Sequence, residues 1–87
     1  MLFLIEFIGT FLFLSTILAY AGKMPHAAAV IGLALAAVVY WGDGHYNPAV
    51  TMMYWMGSPS TSGDAMMRLV GQISGALAAY YWPRILV

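Results

Sequence analysis

Gly44-His45-Tyr46-Asn47-Pro48-Ala49-Val50-Thr51 is the stretch whose reading decides the architecture of this chain. The run from Asp43 to Tyr46 has no helical character and contains Gly44. Asn47 is a favourable helix N-cap, and Pro48 suits the first helical position, where its missing N–H is not needed. A helix from Asn47 to Met56 reaches about 15 Å, half a bilayer. The polar run Gly57-Ser58-Pro59-Ser60-Thr61-Ser62-Gly63 then stops it.

The surroundings of this short helix are almost entirely apolar. Hydrophobic residues make up 63% of the 87-residue chain and charged residues 7%, with a mean hydropathy of +0.85. That balance predicts an integral, multi-pass membrane protein, because a soluble domain of this size needs far more polar surface. Three acids (Glu6, Asp43, Asp64) match three bases (Lys23, Arg68, Arg84). Without net charge or a basic cluster, nucleic acid is not an expected partner. The absence of Cys excludes a disulfide framework or thiolate metal site.

Three longer apolar segments flank the motif. The first, residues 1–21, spans roughly 30 Å as a helix. Its competitor, a cleavable signal peptide ending at Ala19-Tyr20-Ala21, is disfavoured by the lack of a preceding base, by Glu6 and by the length of the run. Gly22-Lys23-Met24-Pro25-His26 reads as a turn. The second segment, residues 27–41, covers only about 22 Å and ends in the interfacial pair Tyr40-Trp41. The third, residues 65–82, is expected to be capped by Asp64 and closed by Pro83-Arg84.

The expected fold is therefore all-α: three transmembrane helices and one half-helix within a single unit, residues 1–87. Non-helical backbone at membrane depth is tolerable only where it is buried in protein or lines water. Residues 43–56 satisfy that rule as a re-entrant loop, although Met52-Met53-Tyr54-Trp55-Met56 is also apolar enough for an interfacial helix. The residues alone leave these two nearly balanced.

Gly-His-aromatic-Asn-Pro-Ala-Val-Thr resembles the first pore loop of the aquaporin, or major intrinsic protein, family. Glu6, Gly9 and Thr10 match that family's first-helix pattern Glu-x-x-Gly-Thr, and Gln72 matches a loop-supporting position in its third span. The resemblance favours re-entry. It implies a passive channel for water, and for glycerol or other small neutral solutes, with Asn47, Pro48 and Ala49 at the pore centre. Asn47 would donate its amide to a passing oxygen above the positive end of the half-helix; as an isolated feature, it would merely cap that helix. The carbonyls of Asp43, Gly44, His45 and Tyr46 would form an acceptor ladder for single-file permeants. The His45 side chain either lines the mouth or holds the loop by a hydrogen bond.

The same resemblance implies that Glu6 braces the loop, a proton relay being the rival use of an intramembrane carboxyl, with Gln72 and Thr10 in support. Gly9, Gly32, Gly71 and Gly75 are expected where helices cross, the default for small residues in membrane spans. The seven Met residues read as packing filler and His26 as interfacial. No catalytic constellation, cofactor motif or metal cluster is expected; Asp43 and His45 flanking Gly44 are poor grounds for catalysis.

The family carries two such loops, the second in an inverted repeat, and one is found here. An inverted second copy would supply the other, giving an antiparallel homodimer in the lipid bilayer, assembled further as family members are into tetramers of pores. The weak charge bias suits insertion in both orientations. A non-conducting relic, or a regulatory subunit of a full-length relative, is the alternative. Where the family's second loop places an Arg after Asn-Pro-Ala, this chain has Val50, and residues 41–45 look shorter than usual. A wider, less discriminating pore is expected.

Overall fold

The computed structural model describes residues 1–57 and 61–86. Its elements are α1 (Leu2–Tyr20), α2 (Ala27–Gly42), α3 (Pro48–Gly57) and α4 (Ser62–Leu86), with no strand among the described residues. Residues 58–60 of the expected polar loop lie outside them.

Local chemistry accounts for most boundaries. α1 stops where Gly22 takes φ +71°, a conformation without steric cost only for Gly. α2 ends on Asp43 in the left-handed conformation, with its N–H on Val39 O at 2.8 Å. α4 departs from expectation at both ends. It starts at Ser62, and its cap is Thr61, whose Oγ1 accepts the Asp64 N–H at 3.0 Å, so Asp64 lies inside the first turn rather than before it. It also runs through Pro83 to Leu86. Near a helix end a proline removes one hydrogen bond without forcing a stop. Arg84 donates to the Tyr80 carbonyl and lies 3.7 Å above the Tyr80 ring.

By length and composition α1 is long and apolar enough to cross a membrane. Of the three expected spans, it alone meets both criteria among the described residues. α2 is apolar, but its 16 residues cover about 24 Å. α4 is long, yet Gln72, Ser74 and the Tyr80-Tyr81-Trp82-Pro83-Arg84 end dilute its apolar character.

Polarity is arranged inside out. The buried set includes Glu6, Thr10, Thr51 and Gln72, while Leu33 is 69% exposed, Tyr40 83% and Met56 75%. Soluble domains bury the second group and expose the first. A surface this apolar requires an apolar surrounding, lipid or protein.

α1 is the hub, packing most extensively on α4 and then on α2, while α3 leans on α4. A Cβ on Gly71 would stand 2.7 Å from Phe3 O, and one on Gly75 would stand 2.8 Å from Phe7 O. The contacts advance in step along both helices, so α1 and α4 run parallel, backbone against backbone. Lys23 and Arg84 consequently line one pocket at the same end. Gly32, expected at a crossing, faces open space instead, because among the described helices α2 packs on α1 alone and turns this residue away. Gly71→Leu should drive a side chain into the α1 backbone and cost about 3 kcal/mol or more. Thermal unfolding in detergent would register it as a marked fall in midpoint.

Candidate functional site

The close α1–α4 approach positions a buried carboxylate. Glu6 is 0% exposed and accepts four hydrogen bonds: His45 N at 2.8 Å and Arg68 Nη1 at 2.6 Å on Oε2, Tyr46 N at 2.7 Å and Gln72 Nε2 at 3.2 Å on Oε1. Two backbone amides, an amide side chain and a guanidinium thus converge on one anion, which offsets the cost of burying it.

Gln72 Nε2 also donates to Thr51 Oγ1 at 2.8 Å, and that hydroxyl lies 2.9 Å from His45 Nδ1. The His45 ring stacks on Tyr54, centroids 4.9 Å apart. Its Nδ1 is held within the network, while Gly44, His45 and Val50 together line a groove, so His45 both anchors the loop and contributes to the groove wall.

Tyr46 is the strained residue. Its φ of +58° is uncommon for any residue with a Cβ and rarer for an aromatic, costing about 1–3 kcal/mol. Several contacts enforce it. The N–H is bound by Glu6, the phenol donates to Val38 O at 2.6 Å and accepts from Gly44 N at 3.1 Å, and the ring lies against the bare backbone of Gly9. The residue is 3% exposed, turned into the helices, and borders the recess beside Asn47 and Pro48.

These bonds consume the loop's amides. The N–H groups of Gly44, His45 and Tyr46 all point into the protein, whereas the carbonyls of Asp43, Gly44, His45 and Tyr46 accept no hydrogen bond among the described residues. α3 starts immediately afterwards. Asn47 Oδ1 accepts Ala49 N–H at 2.8 Å, Asn47 O accepts Thr51 N–H at 3.1 Å, and Asn47, Pro48 and Ala49 are exposed at the helix start. The amide nitrogen of Asn47 has no hydrogen-bond partner among the described residues.

The loop divides two openings. On one side is a groove of ≈ 480 Å³ lined by Leu35, Val39, Asp43, Gly44, His45, Val50, Tyr54 and Arg68. On the other is a smaller recess of ≈ 270 Å³ whose lining includes Thr10, Phe13, Tyr46, Asn47, Pro48 and Gln72. Thr10 Oγ1 makes no hydrogen bond among the described residues, and its Cβ faces Gly75 at the α1–α4 crossing.

Arg68 and Thr51 are network members that the sequence reading did not assign. A signal for Arg68 existed: it lies one helical turn before Gln72, and an arginine inside an apolar span must find an anion. Glu6 is the one acid within the first span.

The class defined by these features is an all-helical chain with a candidate membrane span and a short helix whose start is held by a buried carboxylate. Among curated proteins it is similar to the glycerol uptake facilitator protein-like 6 of Lactiplantibacillus plantarum, with 31% identity over 85 residues. That alignment covers 88% of this chain and 39% of the relative, so the chain spans about two fifths of the relative's length. No family model matches the chain, and no solved structure matches it.

Proposed function

We propose that this chain is an aquaporin-family half-channel, passing water and small neutral solutes such as glycerol when a second half-helix faces its own. The observation that carries this is the loop's polarity: amide hydrogens tied inward to Glu6, carbonyls left unpaired, and a helix N-terminus presented directly after them. Unpaired carbonyls accept from water and hydroxyls, and the positive end of α3 with the Asn47 amide donates to their oxygens. The groove past Gly44, His45 and Val50 and the recess past Asn47 and Pro48 serve together as the half-lumen.

The companion half is a second copy inserted upside down, so that two Asn47 side chains face one lumen, with further assembly into tetramers of pores. α1, α2 and α4 act as the membrane-crossing helices, α3 as the re-entrant half-helix. The inside-out polarity supports this, since the exposed apolar residues suit lipid or another copy. Lys23 and Arg84 lie at one end and Arg68 nearer the other, a split of bases that leaves a feeble charge bias compatible with both orientations.

Stopped-flow swelling of proteoliposomes tests the channel. The chain should raise water and glycerol permeability above empty vesicles, and Asn47→Leu should lower both at least about tenfold by removing the central donor. Flux equal to that of empty vesicles, with no self-assembly in mild detergent, would support a non-conducting relic or regulatory subunit instead. Topology mapping that found every copy in one orientation would overturn the antiparallel arrangement.

A further inference from the structure

The end of the α1–α4 pair away from the Glu6 network holds a second polar feature. Lys23, just after α1, and Arg84, in the last turn of α4, line a pocket of ≈ 420 Å³ whose wall includes Ser15, Leu18 and Pro83. We propose that this pocket binds the phosphate of an anionic phospholipid headgroup. The site goes beyond the channel reading: it needs a membrane around the chain, but no conduction through it.

Segregation of charge carries the inference. α1 and α4 run parallel, and α2 returns along α1 so that Gly42 meets Ile5. Glu6, Asp43 and Asp64, the three acidic side chains of the chain, therefore belong to the opposite end from Lys23 and Arg84. No acidic side chain offsets these two bases. Each is held by its own helix end: Lys23 Nζ donates to Leu18 O at 2.9 Å, and Arg84 donates to Tyr80 O and lies 3.7 Å above the Tyr80 ring. Those bonds engage one of three ammonium donors and one of five guanidinium donors. The two helix C-termini contribute about half a negative charge each, against two full positive charges, so the pocket stays positive. Depth identifies the anion. Exposed Tyr20, Tyr80, Tyr81 and Trp82 lie at this same end, and such amphipathic rings settle at the headgroup level of a bilayer. The anion present at that level is a lipid phosphate, which basic pockets between membrane helices bind.

The test is titration of the full chain in neutral detergent with phosphatidylglycerol or phosphatidylcholine, read by the lipid-dependent rise in unfolding midpoint. Wild type should prefer phosphatidylglycerol at least about tenfold, and Lys23→Gln combined with Arg84→Gln should weaken its binding about thirtyfold, roughly fivefold per base. Lys23→Arg combined with Arg84→Lys, which exchanges the bases, should keep the preference. Ser15→Phe, which keeps both charges and fills the pocket, should lose it. Equal binding of the two lipids by wild type, or a preference undiminished by the paired Gln substitutions, would overturn the site. A preference that survives Ser15→Phe would also overturn it, reducing the effect to attraction at a charged surface. Displacement of the lipid by inorganic phosphate, but not by chloride at equal ionic strength, would overturn the lipid in favour of a soluble anion. None of these readouts involves water flux, so failure here leaves the channel reading standing.

Discussion

Replacing Glu6 by Gln is expected to cost about 3–5 kcal/mol and to abolish permeability, although the two side chains are nearly isosteric. Each carboxylate oxygen accepts two hydrogen bonds: His45 N and Arg68 on one, Tyr46 N and Gln72 on the other. An amide at this position must turn its NH₂ group towards one of those pairs, leaving two donors facing a third. It also leaves the Arg68 charge without its counter-ion. The loop amides then lose the anchor that holds Tyr46 at positive φ, and the carbonyl face loses its direction. Unfolding in mixed micelles would read the stability loss, and vesicle swelling the functional one. Stability within about 1 kcal/mol of wild type would mean that Glu6 is not the hub of this site.

Gly9→Val is the second change with a large expected effect. A Cβ built at this position lies 2.0 Å from Tyr46 Cε1, far inside contact distance. The ring cannot retreat, because its hydroxyl is bonded to Val38 O and Gly44 N, and Cβ positions on Gly42 and Gly44 would crowd it too. Valine at residue 9 therefore expels Tyr46, breaks the link between α2 and the loop, and leaves the Val38 carbonyl without that partner. A cost of about 3 kcal/mol or more follows from overpacking together with lost hydrogen bonds. Combining it with Tyr46→Ala should cost less than the sum of the two, since both act on the same contact. Gly32→Ala, into open space, should change stability by no more than about 0.5 kcal/mol. Detergent unfolding midpoints of the four variants would check the series, and equal effects of Gly9→Val and Gly32→Ala would refute the contact.

The two glycines show why the local pattern reaches only part of the way. Both sit in apolar helices, and small residues in such helices are commonly interfacial. Which of them meets a neighbour depends on the rotation of each helix, and α2 turns Gly32 outward while α1 turns Gly9 onto Tyr46. Arg68 and Glu6 stand 62 positions apart, and their pairing requires the register that Gly71 and Gly75 impose on α1 and α4. Tyr46 read as part of a carbonyl ladder; its phenol proved to be a strut, because its alternatives were decided by a carbonyl on another helix.

The sequence by itself determined that the chain is helical, though not the ends of α4, and also the short helix beginning at Pro48 and the need for Glu6 to find partners. These follow from interactions within a turn or two of chain and from the cost of a buried charge. Tertiary structure alone decided that Arg68 joins Glu6, that Thr51 links His45 to Gln72, and that the loop's amides face inward while its carbonyls do not. The physical reason is reach: capping and apolar runs act between near neighbours, whereas this network spans three helices and a loop and exists only at their packed register.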